Sequence, residues 1–394
     1  MKIDDKTSHN SPSIRFPEFT GEWKEERLSE IADIYKGAGI SKDQLSDNGE
    51  PCILYGELYT KYKTETITEV ISRTDIDNTK LVRSKANDVI IPCSGETAED
   101  IATARCVIKD GILLGGDLNI IRLHNYDGSF VSYQLNGKRK YDIAKVAQGV
   151  SVVHLYGEHL KGVKTVNPCL AEQKKISRFL SLLDERIAVQ NRLIEDLKKF
   201  KCAIVEKLYS EIQGKEYSYR QLFEIINERN SRLEYSNVLS ASQEKGMVNR
   251  EDLNLDIKFE LSNINTYKIV REGDYVIHLR SFQGGFAFSN MVGVCSPAYT
   301  IMRPKKLLEY GYLSYYFTSR KFIKSLIIVT YGIRDGRSIN VDEWLDMKNI
   351  IPSKEQQQHI LRTIKGFENK IEVEEMYASC LSKQKQYLLR QMFI

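Results

Sequence analysis

The chain has 394 residues, of which 42% are hydrophobic and 28% are charged, and its formal net charge is +4. This length predicts two or more domains, and the composition excludes a disordered or membrane-embedded chain. Because the net charge permits a polyanionic partner without requiring one, any case for nucleic-acid binding depends on local basic clusters. The seven cysteines form no Cys-x-x-Cys pair. No apolar stretch suits a membrane span or a signal peptide, so we expect reduced cysteines and a cytoplasmic location.

Five segments are predicted in chain order. They are an N-terminal tail (1–20), a first globular module (21–166), a long helix (167–213), a second globular module (214–350) and a second long helix (351–394).

The two helical segments repeat one another. Placing residues 168–209 over 352–393 gives nine identities in 42 positions, whereas unrelated chains of this length share about two or three. Pro168 and Pro352 stand just before the two helices, where a missing amide hydrogen costs little. The repeat indicates an internal duplication.

Apolar residues in both segments step by alternating four and three positions, the period of a coiled-coil seam. Polar residues interrupt the two seams at corresponding places, Gln190 and Glu374, then Lys201 and Lys385. The predicted apolar seam consists of Ile176, Leu180, Leu183, Ile187, Ile194, Leu197, Ile360, Ile364, Phe367, Ile371, Leu381 and Leu388.

A helix of about 40 residues is roughly 60 Å long and needs a partner. A homodimeric coiled coil is one alternative. Two similar helices within one chain favour the other, which is intramolecular antiparallel pairing. We therefore predict an α/β (α+β) fold in which two similar globular domains are joined by two long antiparallel coiled-coil helices, with a pseudo-twofold internal repeat.

The two modules also resemble each other. "NDVII" (87–91) matches "GDYVI" (273–277), which places Asp88 over Asp274, and "NIIRL" (119–123) matches "YTIMR" (299–303), with Arg122 over Arg303. The segments between these strands differ most, as 92–106 and 278–292 show. A common scaffold with divergent loops is typical of two related binding modules with different ligands.

The sequence contains no glycine-rich nucleotide loop and no metal-binding histidine pair. His154 and His278 are more consistent with loop or core residues than with ligands. Basic residues lie beside aromatics or glycines in 136–142, 278–285, 319–325 and 331–338. Each cluster alone is consistent with a solvated basic face, but two sets on duplicated modules favour nucleic-acid binding.

Two variable modules, each followed by a similar long helix, resemble the specificity subunit of type I restriction-modification systems. The resemblance includes "W-x-x-x-x-L" from Trp23 to Leu28 and "P-x-x-x-E-Q-x-K-I" from Pro168 to Ile176, and it covers residues 15–394. The second copy of the latter motif departs from it, because Gln356 stands where the first copy has Glu172.

The resemblance implies a DNA-recognition subunit without a catalytic site or metal of its own. Each module would be a target recognition domain that reads one half of a bipartite double-stranded DNA target, and the helices would set the spacer. The implied partners are two modification subunits, which bind S-adenosylmethionine and methylate adenine N6, and two restriction subunits, which use ATP and Mg²⁺.

Loop position and residue type give the candidate DNA contacts. Four basic residues are predicted to position phosphates, namely Lys138, Arg139, Arg320 and Lys321. The predicted base-edge contacts are Ser94, Glu96, Thr97, Arg105, Arg280, Ser281, Gln283, Arg334 and Arg337.

Two other functions remain open at this stage. A two-headed coiled-coil adaptor that binds proteins would share this architecture, and DNA binding that weakens steeply with salt would distinguish DNA recognition from it. The absence of nucleotide-binding and metal-binding motifs disfavours the hypothesis that the chain is itself an enzyme. Methylation or cleavage of DNA by the chain alone would support that hypothesis.

Overall fold

A computed structural model of the chain describes residues 11–77, 79–149, 152–242, 245–253, 261–278, 285–331 and 338–394. The chain folds as two compact units. Unit 1 comprises Met1–Asn191 and Met376–Ile394, and unit 2 comprises Arg192–Glu375.

Unit 1 is a mixed α/β structure. Its strands are β1 (Lys24–Arg27), β2 (Ala32–Lys36), β3 (Glu50–Ile53), β4 (Thr66–Ile67), β5 (Ser72–Thr74), β6 (Val82–Arg83), β7 (Asp88–Pro92), β8 (Ser94–Gly95), β9 (Arg105–Val107), β10 (Leu113–Leu114), β11 (Leu118–Leu123), β12 (Val153–His154) and β13 (Lys164–Asn167). Its short helices are α1 (Leu28–Ile31), α2 (Glu57–Thr60), α3 (Ala98–Ile101), α4 (Gly128–Asn136), α5 (Lys140–Val146) and α6 (Gly157–Lys161).

The central sheet of unit 1 has the strand order β2-β11-β7-β9-β4, and a second sheet has the order β5-β3-β10-β6. All five residues of β7 are buried, which explains why this strand is an uninterrupted apolar run after Asp88. The pairs β1-β13 and β8-β12 form separate two-stranded ribbons.

Unit 2 is built on a similar plan. Its strands are β14 (Lys215–Ser218), β15 (Phe223–Ile226), β16 (Leu239–Ser242), β17 (Gly246–Asn249), β18 (Lys268–Val270), β19 (Tyr275–Ile277), β20 (Phe286–Phe288), β21 (Gly293–Cys295), β22 (Thr300–Pro304), β23 (Thr330–Tyr331), β24 (Ser338–Ile339) and β25 (Lys348–Ile351). The two long helices are α7 (Leu170–Ser210) and α12 (Lys354–Gln391), and the short helices of unit 2 are α8 (Tyr219–Leu222), α9 (Tyr312–Tyr316), α10 (Arg320–Ser325) and α11 (Val341–Asp346).

The sheet order β15-β22-β19 in unit 2 repeats the order β2-β11-β7 in unit 1, with antiparallel pairing in both. In each unit a buried aspartate and an arginine join two of these strands, β7 with β11 in unit 1 and β19 with β22 in unit 2. Arg122 forms two bonds of 3.0 and 2.8 Å to Asp88, and Arg303 forms two bonds of 2.9 Å to Asp274. The duplication inferred from sequence therefore extends to side-chain geometry.

The two long helices pair in opposite directions within each unit. In unit 1, Ile176 and Leu180 near the start of α7 share a core with Phe393 at the end of the chain. In unit 2, Tyr209 near the end of α7 shares a core with Ile364 near the start of α12. The predicted fold class, with similar domains and long antiparallel helices, is confirmed.

A glutamine in the first turns of each long helix fixes that helix to its module. Gln173 accepts from the Asp127 amide at 2.9 Å and donates to the Pro168 carbonyl at 2.8 Å. Gln357 accepts from the Glu309 amide at 2.8 Å and donates to the Pro352 carbonyl at 3.0 Å. Both glutamines are buried, so each satisfies backbone groups that would otherwise be left unpaired.

The predicted N-terminal tail contacts the start of α7 within unit 1. Arg15 donates two hydrogen bonds of 2.7 Å to Glu172, and the Phe16 ring lies 5.9 Å from the Phe179 ring. The corresponding residue in the second copy, Gln356, is exposed. The change from Glu172 to Gln356 thus coincides with a structural difference, since the N-terminal tail covers the start of α7 at Glu172 whereas Gln356 at the start of α12 is exposed.

Candidate nucleic-acid interface

The loops after β7 lie at one edge of the central sheet in unit 1. There β8 pairs with β12, which sets Ser94 opposite His154, and α3 packs against both strands. The opposite end of the sheet faces the long helix, since Asp127 bonds to Gln173 there. We call the group at the open end the loop edge, and it consists of Lys36, Ser94, Glu96, Thr97, His154 and Tyr156.

Three predicted base contacts belong to the loop edge. Glu96 and Thr97 are exposed, whereas Ser94 is buried. The Thr97 hydroxyl caps α3 by accepting from the Asp100 amide at 3.1 Å. The structure therefore brings these three residues together and leaves Glu96 the most available to a ligand.

Aromatic side chains extend this edge. The rings of His154 and Tyr156 are nearly parallel with centroids 6.2 Å apart, and Tyr156 is 54% exposed. Lys36 is also exposed. Burial raises the pKa of Cys93, just after β7, to about 11, and the nearby charge of Lys36 lowers that pKa. Sequence reasoning missed all three as candidates, because the β8-β12 pairing brings His154 and Tyr156 to this edge and the β2-β11 pairing brings Lys36 there. An aromatic pair beside a lysine is suited to stacking and phosphate contact.

A groove of about 460 Å³ lies in unit 2 and one of about 840 Å³ lies in unit 1. The groove in unit 1 is lined by Lys42, Tyr55, Tyr59 and Asp117 among others. Burial and then Tyr55 raise the pKa of Tyr59 in this groove, and Asp100 and Glu96 lie close enough to raise it further, so the groove adjoins the loop edge at Glu96. The loop edge and this groove thus form one continuous region.

Arg105 lies away from that surface. It is 8% exposed, and its guanidinium donates to the carbonyls of Leu58, Ala104 and Tyr62 at 3.1 to 3.2 Å. Burial lowers the pKa of Arg105. These bonds occupy the side chain in holding the turn at 58–62, and Arg105 lies buried in β9 rather than at the loop edge.

The predicted phosphate contacts of unit 1 lie on the helix side of the module. Lys138 is exposed in a groove of about 270 Å³ that is also lined by Gln386 and Arg390 of α12. Arg139 is half-buried, and its guanidinium lies 3.5 Å from Asp142. The structure therefore separates these basic residues from the loop edge.

In unit 2, Arg320 and Lys321 occupy the exposed first turn of α10, which Ser319 caps. The backbone amide of Arg320 donates to Glu206 of α7 at 2.6 Å. His278 is half-buried with its ring 4.9 Å from the Tyr299 ring. The remaining predicted base contacts lie outside the described residues, namely Arg280, Ser281, Gln283, Arg334 and Arg337.

None of the twelve predicted seam residues is exposed. Seven are buried, and five are half-buried, namely Leu183, Ile187, Leu197, Phe367 and Leu388. The interrupting lysines are paired within their own units, Lys385 with Asp184 at 2.6 Å and Lys201 with Glu368 at 3.2 Å. The two lysine interruptions are therefore satisfied contacts between the two helices.

The long helices also carry apolar side chains on their outer faces. In unit 1 the exposed ones are Phe179, Leu182, Val189, Met376, Tyr377 and Tyr387. In unit 2 they are Leu193, Phe200 and Val373. A run of large exposed apolar residues along a helix is typical of a surface that binds another protein.

Within the described part of the chain, no group of three or more histidine, cysteine, aspartate or glutamate residues is arranged to hold a metal ion. A search of the same residues finds no helix with the length and hydrophobicity of a membrane span.

Comparison with known proteins agrees with these features. The family model described as "Type I restriction modification DNA specificity domain" matches residues 20–199. The type I restriction enzyme MjaVIII specificity subunit of Methanocaldococcus jannaschii is 22% identical over 95% of this chain and 92% of its own length.

Two solved structures share the fold. The S subunit of a type I restriction-modification system from M. genitalium aligns with a TM-score of 0.56 at 15% identity, covering 98% of this chain and 99% of that one. A chain from a structure of type I R-M complex assembly and conformational transition aligns with a TM-score of 0.60 at 13% identity, covering 94% and 97%.

Proposed function

We propose that the chain is a specificity subunit of a type I restriction-modification system and that each unit reads one half of a bipartite double-stranded DNA target. The observation that carries the proposal is the repeated frame. Two sheets of matching order, each locked by an aspartate–arginine pair, carry loops that differ in length and sequence. Such a design lets two readers share one mode of attachment while recognising different bases.

In unit 1 the loop edge and its groove are the proposed DNA-reading surface. Glu96 can accept a hydrogen bond from a cytosine amino group, and His154 with Tyr156 offers faces on which a base or sugar can pack. Lys36 and Lys138 supply positive charge for phosphates on either side of the module. The remaining predicted residues, in unit 2, serve as the corresponding contacts there.

The long helices are proposed to have two tasks. The first is to set the unread spacer. At 1.5 Å per residue a helix of about 40 residues is roughly 60 Å long, which corresponds to an upper limit of about 17 base pairs. The second is to bind two modification subunits through the exposed apolar side chains of α7 and α12.

Methylation is assigned to those partners. The modification subunits would bind S-adenosylmethionine and methylate adenine N6 after flipping the base, and two restriction subunits would supply ATP- and Mg²⁺-dependent cleavage. The chain itself contributes recognition and no catalytic group. Purified chain given S-adenosylmethionine and target DNA should leave the DNA unmodified, and addition of the modification subunit should produce methylation.

Exchanging residues 92–106 for the corresponding loop of another specificity subunit tests the proposal. With the modification subunit present, methylated adenines on a random-sequence library should show one altered half-site. The other half-site is the internal control and should stay the same. A change in both half-sites, or in neither, would contradict independent reading by the two units.

A further inference from the structure

Each unit contains one three-residue cluster where its module meets the two long helices. In unit 1, the Tyr133 hydroxyl on α4 donates to Asp184 on α7 at 2.6 Å, and Lys385 on α12 lies 2.6 Å from the same carboxylate. In unit 2, the Tyr315 hydroxyl on α9 donates to Glu368 on α12 at 2.8 Å, and Lys201 on α7 lies 3.2 Å from it. Each cluster therefore joins three separate elements.

The two clusters are copies of each other with the helices exchanged. Asp184 and Glu368 align in the duplicated helices, and so do Lys201 and Lys385. In unit 1 the carboxylate comes from α7 and the lysine from α12, whereas in unit 2 the assignment is reversed. This exchange is what antiparallel pairing of two copies of one helix produces. The two lysine interruptions of the seam, Lys201 and Lys385, are thus one half of a repeated contact.

The geometry of a cluster allows little movement of the module on the helices. A shift of one helical turn displaces a side chain by about 5.4 Å, which would break both bonds to the shared carboxylate. The Tyr133 hydroxyl and the Asp184 carboxylate are buried, so a broken bond would leave polar groups without water. Hydrophobic packing alone tolerates sliding much better than these directional bonds do.

We propose that the clusters Tyr133–Asp184–Lys385 and Tyr315–Glu368–Lys201 are positioning residues that fix the orientation of each module on its own stretch of the helix pair. Because the proposed function makes spacer length depend on how the modules are held, the clusters decide how strictly the protein discriminates among spacers. This inference rests on the proposed function. It adds residues that act on spacing without touching DNA.

The cluster of unit 1 is the more rigid one. Glu65 accepts a second bond of 2.7 Å from Lys385, and the lysine ammonium lies 5.5 Å from the centre of the Tyr133 ring. Lys385 is 15% exposed, compared with 28% for Lys201. In unit 2, Lys365 also approaches Glu368, at 3.7 Å, from the exposed face. Loss of the Tyr133 hydroxyl in unit 1 should therefore reduce spacer discrimination more than loss of the Tyr315 hydroxyl in unit 2.

The test uses the full chain assembled with its modification subunit and the variants Tyr133→Phe and Tyr315→Phe. Targets carry the wild-type half-sites with spacers of the preferred length, one base pair shorter and one base pair longer. Methylation rates give a preference ratio for each protein. Tyr62→Phe is the matched control, since its hydroxyl accepts a hydrogen bond from the Ile71 amide within the module and its ring belongs to a core cluster that includes no residue of either long helix.

Tyr133→Phe should lower the preference ratio by about fivefold, the change that corresponds to the roughly 1 kcal/mol of one hydrogen bond. Tyr315→Phe should lower it less, and Tyr62→Phe should leave it unchanged. Half-site bases should be the same in all three. An unchanged ratio in both cluster variants, or an equal fall in the control, would overturn the positioning role.

Failure of the proposed function itself looks different. In that case wild-type protein would show no half-site specificity at all, whereas failure of the positioning role alone leaves wild-type specificity intact. Lys201→Met provides a second reading in unit 2, where partial exposure makes the variant easier to fold. It should lower the ratio at least as much as Tyr315→Phe, because it removes the tie to the other helix. An unchanged ratio in folded Lys201→Met would count against the proposal.

Discussion

The two units share a frame but differ in how they enclose charge. In unit 1, Lys385 is enclosed by Asp184, Glu65 and the ring of Tyr133. In unit 2, the corresponding Lys201 has Glu368 as its partner and is open to solvent on one side. Duplication therefore preserved the lysine–carboxylate contact while the surrounding loops diverged, so that this contact contributes a different free energy in each unit.

The difference extends beyond the clusters. Beside its central sheet, unit 1 has a four-stranded sheet made of β3, β5 and β6, which precede β7, and β10, which follows it, whereas the described part of unit 2 has the two-stranded ribbons β16-β17 and β18-β21. In unit 1, Lys138 shares a groove with Arg390 of α12. In unit 2, the residue aligned with Lys138 is Arg320, and the residue aligned with Arg390 is Glu206, which accepts a bond from the Arg320 amide. Divergence is therefore concentrated in loops and at module edges, where a change in specificity costs the core little.

Removing the buried lysine should have the largest effect on stability. Lys385→Met leaves Asp184 and Glu65 as uncompensated carboxylates, which should destabilise unit 1 by about 3 to 5 kcal/mol. Lys201→Met should cost unit 2 only about 1 kcal/mol because water can reach the remaining carboxylate. Hydrogen exchange in α4 and α9 would report the two units separately, and equal losses would contradict the comparison.

The shared aspartate–arginine pair should behave alike in the two units. Arg122→Met and Arg303→Met each leave a buried aspartate without its bidentate partner, so each should lower stability by about 2 kcal/mol. Denaturant unfolding of the two variants provides the measurement. A large difference between them would show that the frame is less well duplicated than its geometry indicates.

The Lys385 contribution should also depend on pH. Burial lowers the pKa of Lys385, but Glu65 and Asp184 raise it by more, so the pKa lies above its ordinary value of 10.5. A cation whose pKa is raised on folding contributes its full stabilisation below its unfolded pKa and loses it as pH rises through the folded pKa. The stability difference between wild type and Lys385→Met should therefore be constant near neutrality and shrink above about pH 10.5. A difference that grew in this range would contradict the charge state assigned to Lys385.

The smallest expected effect concerns DNA binding by Lys138. Lys138→Ala should weaken binding by a similar factor on every sequence and reduce the dependence of log affinity on log salt by about one. Lys109→Ala offers a control, because Lys109 is also exposed in unit 1 but lines neither the groove that contains Lys138 nor the groove beside the loop edge. Equal slopes for the two variants would remove Lys138 from the phosphate contacts.

Sequence alone predicted the parts of the fold that depend on periodicity and repetition. The seam spacing indicated both long helices, and the aligned Asp88/Asp274 and Arg122/Arg303 pairs pointed to matching strands. The same alignment located Lys201 and Lys385 as interruptions of the seam. It could not identify their partners, because the module tyrosines and Glu65 reach them only through long-range packing.

The candidate site was harder to predict for the same reason. Arg105 has the residue type and loop position of a base contact, yet in the folded chain its guanidinium satisfies buried carbonyls. No sequence pattern near His154 and Tyr156 predicts that they belong to the site, because β12 pairs with β8, a strand about 60 residues earlier in the chain. Loop residues acquire their surroundings from tertiary structure, so residue type is a weak guide there.

Two duplicated modules in one chain are proposed to read two separate half-sites. Mapping every methylated adenine in DNA exposed to the wild-type chain with its modification subunit tests it most directly. We predict a single bipartite motif with two different half-sites, a fixed spacer and one methylated adenine on each strand. A continuous motif, or methylation that depends on only one half-site, would contradict it.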